Sequence, residues 1–539
     1  MSPVRNPHAP ILEALELRRH LAINSGALPI SYGGPGFDNA QRIVATDTGA
    51  VVTGLFSGTV DFDPTADTGI LTAQGDSDIY IASYATDGSL DWAIRVGGEY
   101  TSKDFEDYDD RYPQINPDRF RNDVGKIGEL PRDAGEYVND LMVDSAGNIF
   151  VVGSFRETIS VGTQTLIADQ QYSDDYHDSL ILKLDAAGNL GWSRVIGGAF
   201  HDSALSIGLD AGDNVYVGGY YTRQADFDPS SQVYLLQTNG RDAGYVMRMS
   251  TDGALSWVYQ FTSEATDVGL RNAVNDIAVT ASGNVYFAGV FAEDADFDPS
   301  RREYKLEADD LTDAAFGLLN RKGQLAFAMR TGGEKADGNL AVTIGTDGGV
   351  YTGGYFGDEV DVDPRKNVTN IFTATPEDEG DEPDNADLVI SRFEADGTPT
   401  WQAQLGGGYL ETISDMTVGS DGSIYTIGSF FNTADFAPGP SEVFLSSAVS
   451  DTGDIDDDDF GGDRDESYDW FVSRLSPRGK YINATRIGGA DDDFGSGLFV
   501  DGSNLYAVGR AVSTRLPDRD DRDETSLILL LDAALNRVS

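Results

Sequence analysis

Residues 207–262 read IGLDAGDNVYVGGYYTRQADFDPSSQVYLLQTNGRDAGYVMRMSTDGALSWVYQFT, and this stretch decides the fold. Short apolar runs rich in Val, Tyr and Met alternate with small or polar residues, as half-buried strands do. Asp, Asn and Gly sit between the runs, and two small turn residues flanked by apolar alternation signal a tight hairpin. The last run carries a large anchor, Trp257. The stretch therefore predicts four antiparallel strands: inner, second, third and a Trp strand.

The unit recurs along the chain. Gly-Gly pairs close it at 33–34, 97–98, 197–198, 332–333, 406–407 and 488–489, and Thr262-Ser263 takes the remaining slot. Five residues before these slots stand Leu28, Trp92, Trp192, Trp257, Phe327, Trp401 and Asn483. A lone four-stranded unit cannot bury both of its faces, so repetition specifies a propeller. The last unit stops at SLILLLDAALNRVS, before its Trp strand, while 26–34 (GALPISYGG) offers an orphan strand in that register. Adding it removes the open edge. The expectation is an all-β, seven-bladed β-propeller of four-stranded antiparallel blades, closed by an N-terminal strand that completes the last blade. It spans 26–539, with blades at 35–98, 99–198, 199–263, 264–333, 334–407, 408–489, and 490–539 plus 26–34. Residues 1–25 read as a targeting-like segment without the apolar core of an ordinary signal peptide.

Bulk composition narrows the function. Hydrophobic content of 40% and aromatic content of 10% support packed cores rather than disorder. Ninety Asp and Glu against 38 Lys and Arg give a formal charge of −52. Such a field repels phosphate, so nucleic acid is not expected as a partner and anionic membrane surfaces are disfavoured. Divalent cations, basic proteins and neutral glycans stay open, as does simple adaptation of the surface to salt. The absence of Cys excludes disulfides, zinc–thiolate sites and Cys nucleophiles. No apolar run is long enough to predict a transmembrane helix.

The pattern W-x4-GG, then D-x-x-GN-x-Y-x-x-G, then DFDP, then D-x-F-x-x-K resembles the bacterial SBBP-type β-propeller repeat over essentially 26–539. The second and seventh copies lack DFDP. That resemblance implies extracellular or cell-surface proteins with no shared catalytic residues. Leu12-Glu13-Ala14-Leu15-Glu16-Leu17-Arg18-Arg19-His20-Leu21 resembles the LEPR-type N-terminal segment of secreted planctomycete proteins, departing from it at Leu17 and His20. It implies export.

The sharpest repeated polar motif is Asp-x-Asp-Pro, at Asp61 and Asp63, Asp226 and Asp228, Asp296 and Asp298, and Asp361 and Asp363, with a weaker copy at Asp435. One reading is Ca²⁺ held by these carboxylates, helped by the acid opening the third strand: Asp78, Asp178, Asp242, Asp313, Asp387 or Asp469. The other is structural: Phe packs inward, Asp caps a turn, and Pro ends the strand. Acidic insertions at 171–178, 375–387, 451–469 and 518–524 fall between second and third strands, and 99–138 falls between a Trp strand and the next inner strand. In an up-and-down blade both connections emerge on one face. Long loops on a rigid scaffold are where binding concentrates, although they also read as solvated decoration. The 99–138 insertion adds Tyr100, Phe105, Tyr108, Tyr112 and Phe120, suited to sugars or peptides or to folding the loop down. His177 and His201 fall on the same face. No catalytic motif stands out. The reading is a secreted or cell-surface, non-catalytic binding or scaffold module for an extracellular protein or glycan, with Ca²⁺ stiffening its loops. The alternatives are a polysaccharide-acting hydrolase or lyase using the central channel, and a purely structural surface protein of a salt-adapted cell.

Overall fold

The structure is a computed structural model. It describes residues 30–537 apart from 35, 47, 64–68, 101–134, 170–175, 229, 231, 267–270, 299–302, 366–367, 376–385, 449–466, 490–491, 503 and 513–523. Among the described residues there are strands and turns but no helix.

The stretch quoted first forms strands Asp202–Leu209, Val215–Asp226, Leu235–Met249 and Leu255–Ser263, each antiparallel to the one before. The same order follows the inner strands Asp38–Thr46, Glu136–Val143, Ala273–Val279, Asp337–Ile344 and Glu411–Val418. The strands Phe494–Asp501, Asn504–Val512 and Glu524–Leu531 form the last set, and Ile30–Tyr32 pairs antiparallel with Glu524–Leu531, Ile30 opposite Ile528. Inner strands of successive sets contact one another, and Phe494–Asp501 contacts Asp38–Thr46.

The core lies between sets, not within them. Val51, Leu55, Ile79 and Ile81 pack with Val138, Leu141, Val151 and Leu180 of the next set. From the opposite face of the same strands, Val52, Phe56, Tyr80 and Ala82 pack with Tyr32, Tyr506, Ile528 and Leu530. Both sheet faces are dry, which explains why second strands such as GAVVTGLF and IFVVGSF are apolar throughout.

Two devices tie neighbouring sets together. The first is an element that sequence reading missed: a small hairpin between second and third strands. It forms as Thr59–Asp61 with Ile70–Thr72, Thr158–Val161 with Gln164–Ile167, Glu359–Asp361 with Ile371–Thr373, and Thr433–Asp435 with Phe444–Ser446. In the Val215–Asp226 and Val285–Asp296 strands it is an extension beyond a register break. The chain enters each hairpin through one left-handed residue: Gly58, Glu157, Arg223, Glu293, Asp358 or Asn432, with φ between 54° and 63°. Hairpin residues then pair with the preceding set, as Ile159 with Gly98, Asp296 with Thr262, Asp361 with Gly332 and Asp435 with Gly406.

The second device is the Trp. The Nε1 of Trp92, Trp192, Trp257 and Trp401 donates to Ala186, Thr251, Arg321 and Pro477 carbonyls in the next set's turn, at 3.1–3.3 Å. In that turn a Cβ on Gly188, Gly323 or Gly479 would strike the indole within 2.8 Å. The copy with Asn483 in place of Trp faces a turn with Leu535 where the others have Gly. Leu535 takes the left-handed conformation at φ 60° and is buried with Tyr425 and Leu498.

Candidate functional site

The Asp-x-Asp-Pro motifs are turn caps at the latch hairpins. Oδ1 of Asp61, Asp226, Asp296 and Asp361 accepts the N–H two residues on, from Asp63, Asp228, Asp298 and Asp363, at 2.9–3.1 Å. In three copies the same oxygen also accepts an N–H from across the hairpin, from Tyr234, Tyr304 or Asn370. Asp435 repeats both bonds, to Ala437 and Val443. The residue between the acids, Phe62, Phe227, Phe297, Val362 or Phe436, is wholly buried. Of the second acids, Asp228 caps Ser230 N–H, and Asp363 pairs with the Arg365 guanidinium. The third-strand acids do not act as their helpers. Asp78, Asp178, Asp313, Asp387 and Asp469 lie instead beneath the Gly-Gly pairs, where a Cβ on Gly97, Gly197, Gly332, Gly406 or Gly488 would come within 2.4 Å of Oδ1. Among the described residues no three His, Asp or Glu side chains gather closely enough to hold a metal ion.

The Gly-Gly pair has a further partner that sequence reading missed. The second Gly N–H donates to the first acid of the next inner strand: Gly34 to Asp38, Gly98 to Glu136, Gly198 to Asp202, Gly333 to Asp337, Gly407 to Glu411 and Gly489 to Asp493. The sequence signal was an acid four residues after each pair, hidden in one copy by the long insertion. The exception supports the account. Where Thr262-Ser263 replaces Gly-Gly, the acid is replaced by Asn272, whose Nδ2 donates to Ser263 Oγ at 2.8 Å.

A third group surrounds the middle of the molecule. Every inner strand carries a register shift near its centre. Beside three of these shifts stand Asp140, Asp276 and Asp415, each accepting an N–H from the next inner strand: Ile207, Val342 and Leu498, at 2.7–2.8 Å. Ser206 bridges Asp140 and Asp276, and Arg42 donates to the Ser496 carbonyl at 2.7 Å. Burial, then the Asp140 charge, push the Asp276 carboxyl up to about 7; burial lifts Asp415 to about 6 against the pull of Arg42.

The inner-strand starts, second-strand ends and Gly-Gly pairs share one end of the sheets, and that end carries the insertions. The described residues flanking 101–134, 170–175, 376–385, 449–466 and 513–523 all lie there; of the insertions' acids, Glu99, Glu136, Asp178, Asp387, Asp469 and Glu524 are among the described residues and the rest lie outside them. Aromatic and arginine side chains are stacked across it. Arg271 lies over Tyr220, Arg223 over Phe200, and Arg510 over Phe37 and Phe494, with centroid distances of 4.7–5.5 Å. Tyr409, Phe431, Tyr468 and Phe494 form a continuous ring-to-ring row. His177 and His201 do come together, Nδ1 to Nδ1 at 3.4 Å, but their surroundings are aromatic and cationic. Arg156 Nε lies 3.1 Å from His177, Tyr137 packs on His177 and Tyr176 on His201. That setting suits ring stacking and hydrogen bonding, not a dication.

The chain is similar to an uncharacterized WD repeat-containing protein of Acanthamoeba polyphaga mimivirus, with 22% identity over 464 residues, 72% of this chain and 31% of that protein. The likeness is to a WD repeat protein. This chain spans about a third of that relative's length. Among solved structures the chain is similar to the WD40 domain of Neurospora crassa Pan2 (TM-score 0.31, 8% identity, 72% of this chain and 88% of that one). It is also similar to virginiamycin B lyase from Staphylococcus aureus (TM-score 0.33, 10% identity, 74% and 96%) and to Synechocystis apocarotenoid oxygenase (TM-score 0.38, 10% identity, 98% and 95%). The architecture rests on the strand pairing, not on likenesses of this size. No family model matches the chain, so the SBBP-type repeat stays a resemblance.

Proposed function

We propose that the chain is a closed seven-bladed propeller over 26–539, acting as a secreted or cell-surface, non-catalytic binding or scaffold module. Closure is supported by the pairing of Ile30–Tyr32 with Glu524–Leu531 and by the contact of the last inner strand with the first. One observation carries the binding reading: the insertions and the arginine–aromatic stacks share one end, while the opposite end carries tight turns. Half-buried Phe200, Tyr220 and Arg271, beside exposed Arg223, stand on a rigid frame and suit sugar rings or the side chains of an extracellular protein. The polar side chains that converge in the middle of the molecule are spent on hydrogen bonds between inner strands, which favours binding over glycan cleavage there. The acidic insertions would add weak affinity for divalent cations or basic partners. A glycan array and a pull-down of extracellular proteins, each run with wild type and with Tyr220→Ala/Arg271→Ala, test the reading. Loss of a captured ligand in the variant is expected. Equal capture by both proteins, or turnover of a bound glycan, would overturn it.

A further inference from the structure

At most junctions between sets two carboxyl groups meet beneath a Gly-Gly pair: the acid opening a third strand, and the acid opening the next inner strand. Three such junctions also admit a guanidinium, with Arg95 on Asp78, Arg330 on Asp313 and Arg486 on Asp469. Two do not: Asp178 with Asp202, and Asp387 with Glu411. These four residues are at most 3% exposed. Asp178 Oδ1, Asp387 Oδ1 and Glu411 Oε1 are buried with no hydrogen-bond partner, as are Oδ1 of Asp78, Asp313 and Asp469 at the other three junctions, so the missing guanidinium is what sets these two apart. A Cβ on Gly197 would lie 2.3 Å from Asp178 Oδ1 and 3.0 Å from Asp202 Oδ2, so the two carboxyls crowd the same glycine.

Among the described residues no ion pair reaches Asp178, Asp202, Asp387 or Glu411. Asp202 accepts from Gly198 and Thr222 N–H groups, and Asp178 from the N–H of Asp169. The ionisable neighbours there are Asp169, Asp242, Tyr221 and Tyr245, all neutral or anionic. Arg241 lies 3.9 Å from Asp242, and the His177 carbonyl accepts the Asp202 N–H beside His201. Asp387 accepts from Gln404 and Thr375, and Glu411 from the Gly407 N–H. Two ionised carboxylates cannot share a dry junction, and the hydrogen missing from the orphaned oxygens is a proton.

We propose that Asp178–Asp202 and Asp387–Glu411 are proton-held clamps, so that a rise in pH above neutral loosens these two junctions before the others. Burial pushes Asp178 up to about 7 and Asp387 to about 6, and carries Asp202 and Glu411 well above the usual carboxylate range, where Asp178 adds to Asp202 and Asp387 to Glu411; burial raises Asp313 to about 7 as well, but there the Arg330 guanidinium pulls against it. The sign follows from linkage. A carboxyl whose folded value is raised contributes its stability in full below the unfolded value, about 4, and loses it as pH rises through the folded value.

Hydrogen exchange of the full chain at pH 6 and pH 9, corrected for intrinsic rates, reads the junctions separately. Opening across 178–203 and 387–412 is expected to rise by about tenfold per pH unit for each carboxyl that stays protonated in the closed junction but ionises on opening, and to level off above the folded values; the rise is expected to be smaller across 313–338 and 469–494, where a guanidinium holds the ionised acid. No rise, or an equal rise at all four, overturns the proposal. As a second readout, Asp178→Asn and Asp387→Asn are expected to flatten the fall in melting temperature between pH 6 and 9. Unchanged slopes in folded variants would also overturn it. Should either variant fail to fold, the exchange data on the wild type still decide.

Discussion

Replacing Gly333 with Ala tests the Gly-Gly latch. Its backbone is not left-handed, so alanine brings no conformational strain of its own. The cost is steric: an added Cβ would lie 1.8 Å from the Glu359 carbonyl oxygen, a backbone atom. That carbonyl must retreat by roughly 1.5 Å to restore ordinary contact. The retreat breaks the short ladder of Gly332 with Asp361 and Gly333 with Val360, and it disturbs the 2.6 Å bond from Gly333 N–H to Asp337. Two lost backbone bonds at about 1 kcal/mol each, plus overpacking at about 1–3 kcal/mol, predict a loss of about 4 kcal/mol. Gly348→Ala is the control, since Gly348 has φ +81° but open space around it. Its cost is about 1–2 kcal/mol. Urea melts at a constant m-value measure both. A Gly333→Ala cost no larger than that of Gly348→Ala would refute the steric argument.

Three further outcomes follow. Leu535→Gly is expected to lose about 2 kcal/mol and Asn483→Trp to destabilise on its own; together they should recover at least about 1 kcal/mol in a double-mutant cycle, because they rebuild the Trp–Gly pairing of the other sets. Phe297→Ala should cost about 3–5 kcal/mol, whereas Ca²⁺ and chelator should give the same melting temperature at fixed ionic strength. A Ca²⁺-dependent rise would return the Asp-x-Asp-Pro turns to metal binding. Asp276→Ala leaves the Val342 N–H without its acceptor and the Ser206 hydroxyl with only the longer bond to Asp140, and should cost about 2 kcal/mol, read by chemical denaturation.

Much of this was legible in the sequence because the unit repeats. Tight turns, Trp anchors and apolar second strands mark the strand order, and the orphan strand at 26–34 points to the last set; the pairing observed there covers Ile30–Tyr32. The latch hairpins were not legible. Several are only three residues a side, and the motif that marks them, Asp-Phe-Asp-Pro, reads equally as a metal site until its oxygens are seen on backbone N–H groups. The glycine that each third-strand acid underlies was hidden for a related reason. Periodicity places them at a strand start, but only the packing of adjacent sets shows the glycine that each one underlies. Asp140, Asp276 and Asp415 were lost among 90 acids, because nothing in one dimension aligns the centres of inner strands.

Ring closure is the claim on which the rest stands, and a cysteine cross-link tests it most directly. The chain has no Cys, so Ser31→Cys with Leu527→Cys, directly opposed in the pairing of the terminal strands, places the only two thiols at disulfide range. A closed ring gives a rapid intramolecular link under mild oxidation, and a higher melting temperature that is lost on reduction. Thiols that stay free, or that link only between molecules, would contradict closure.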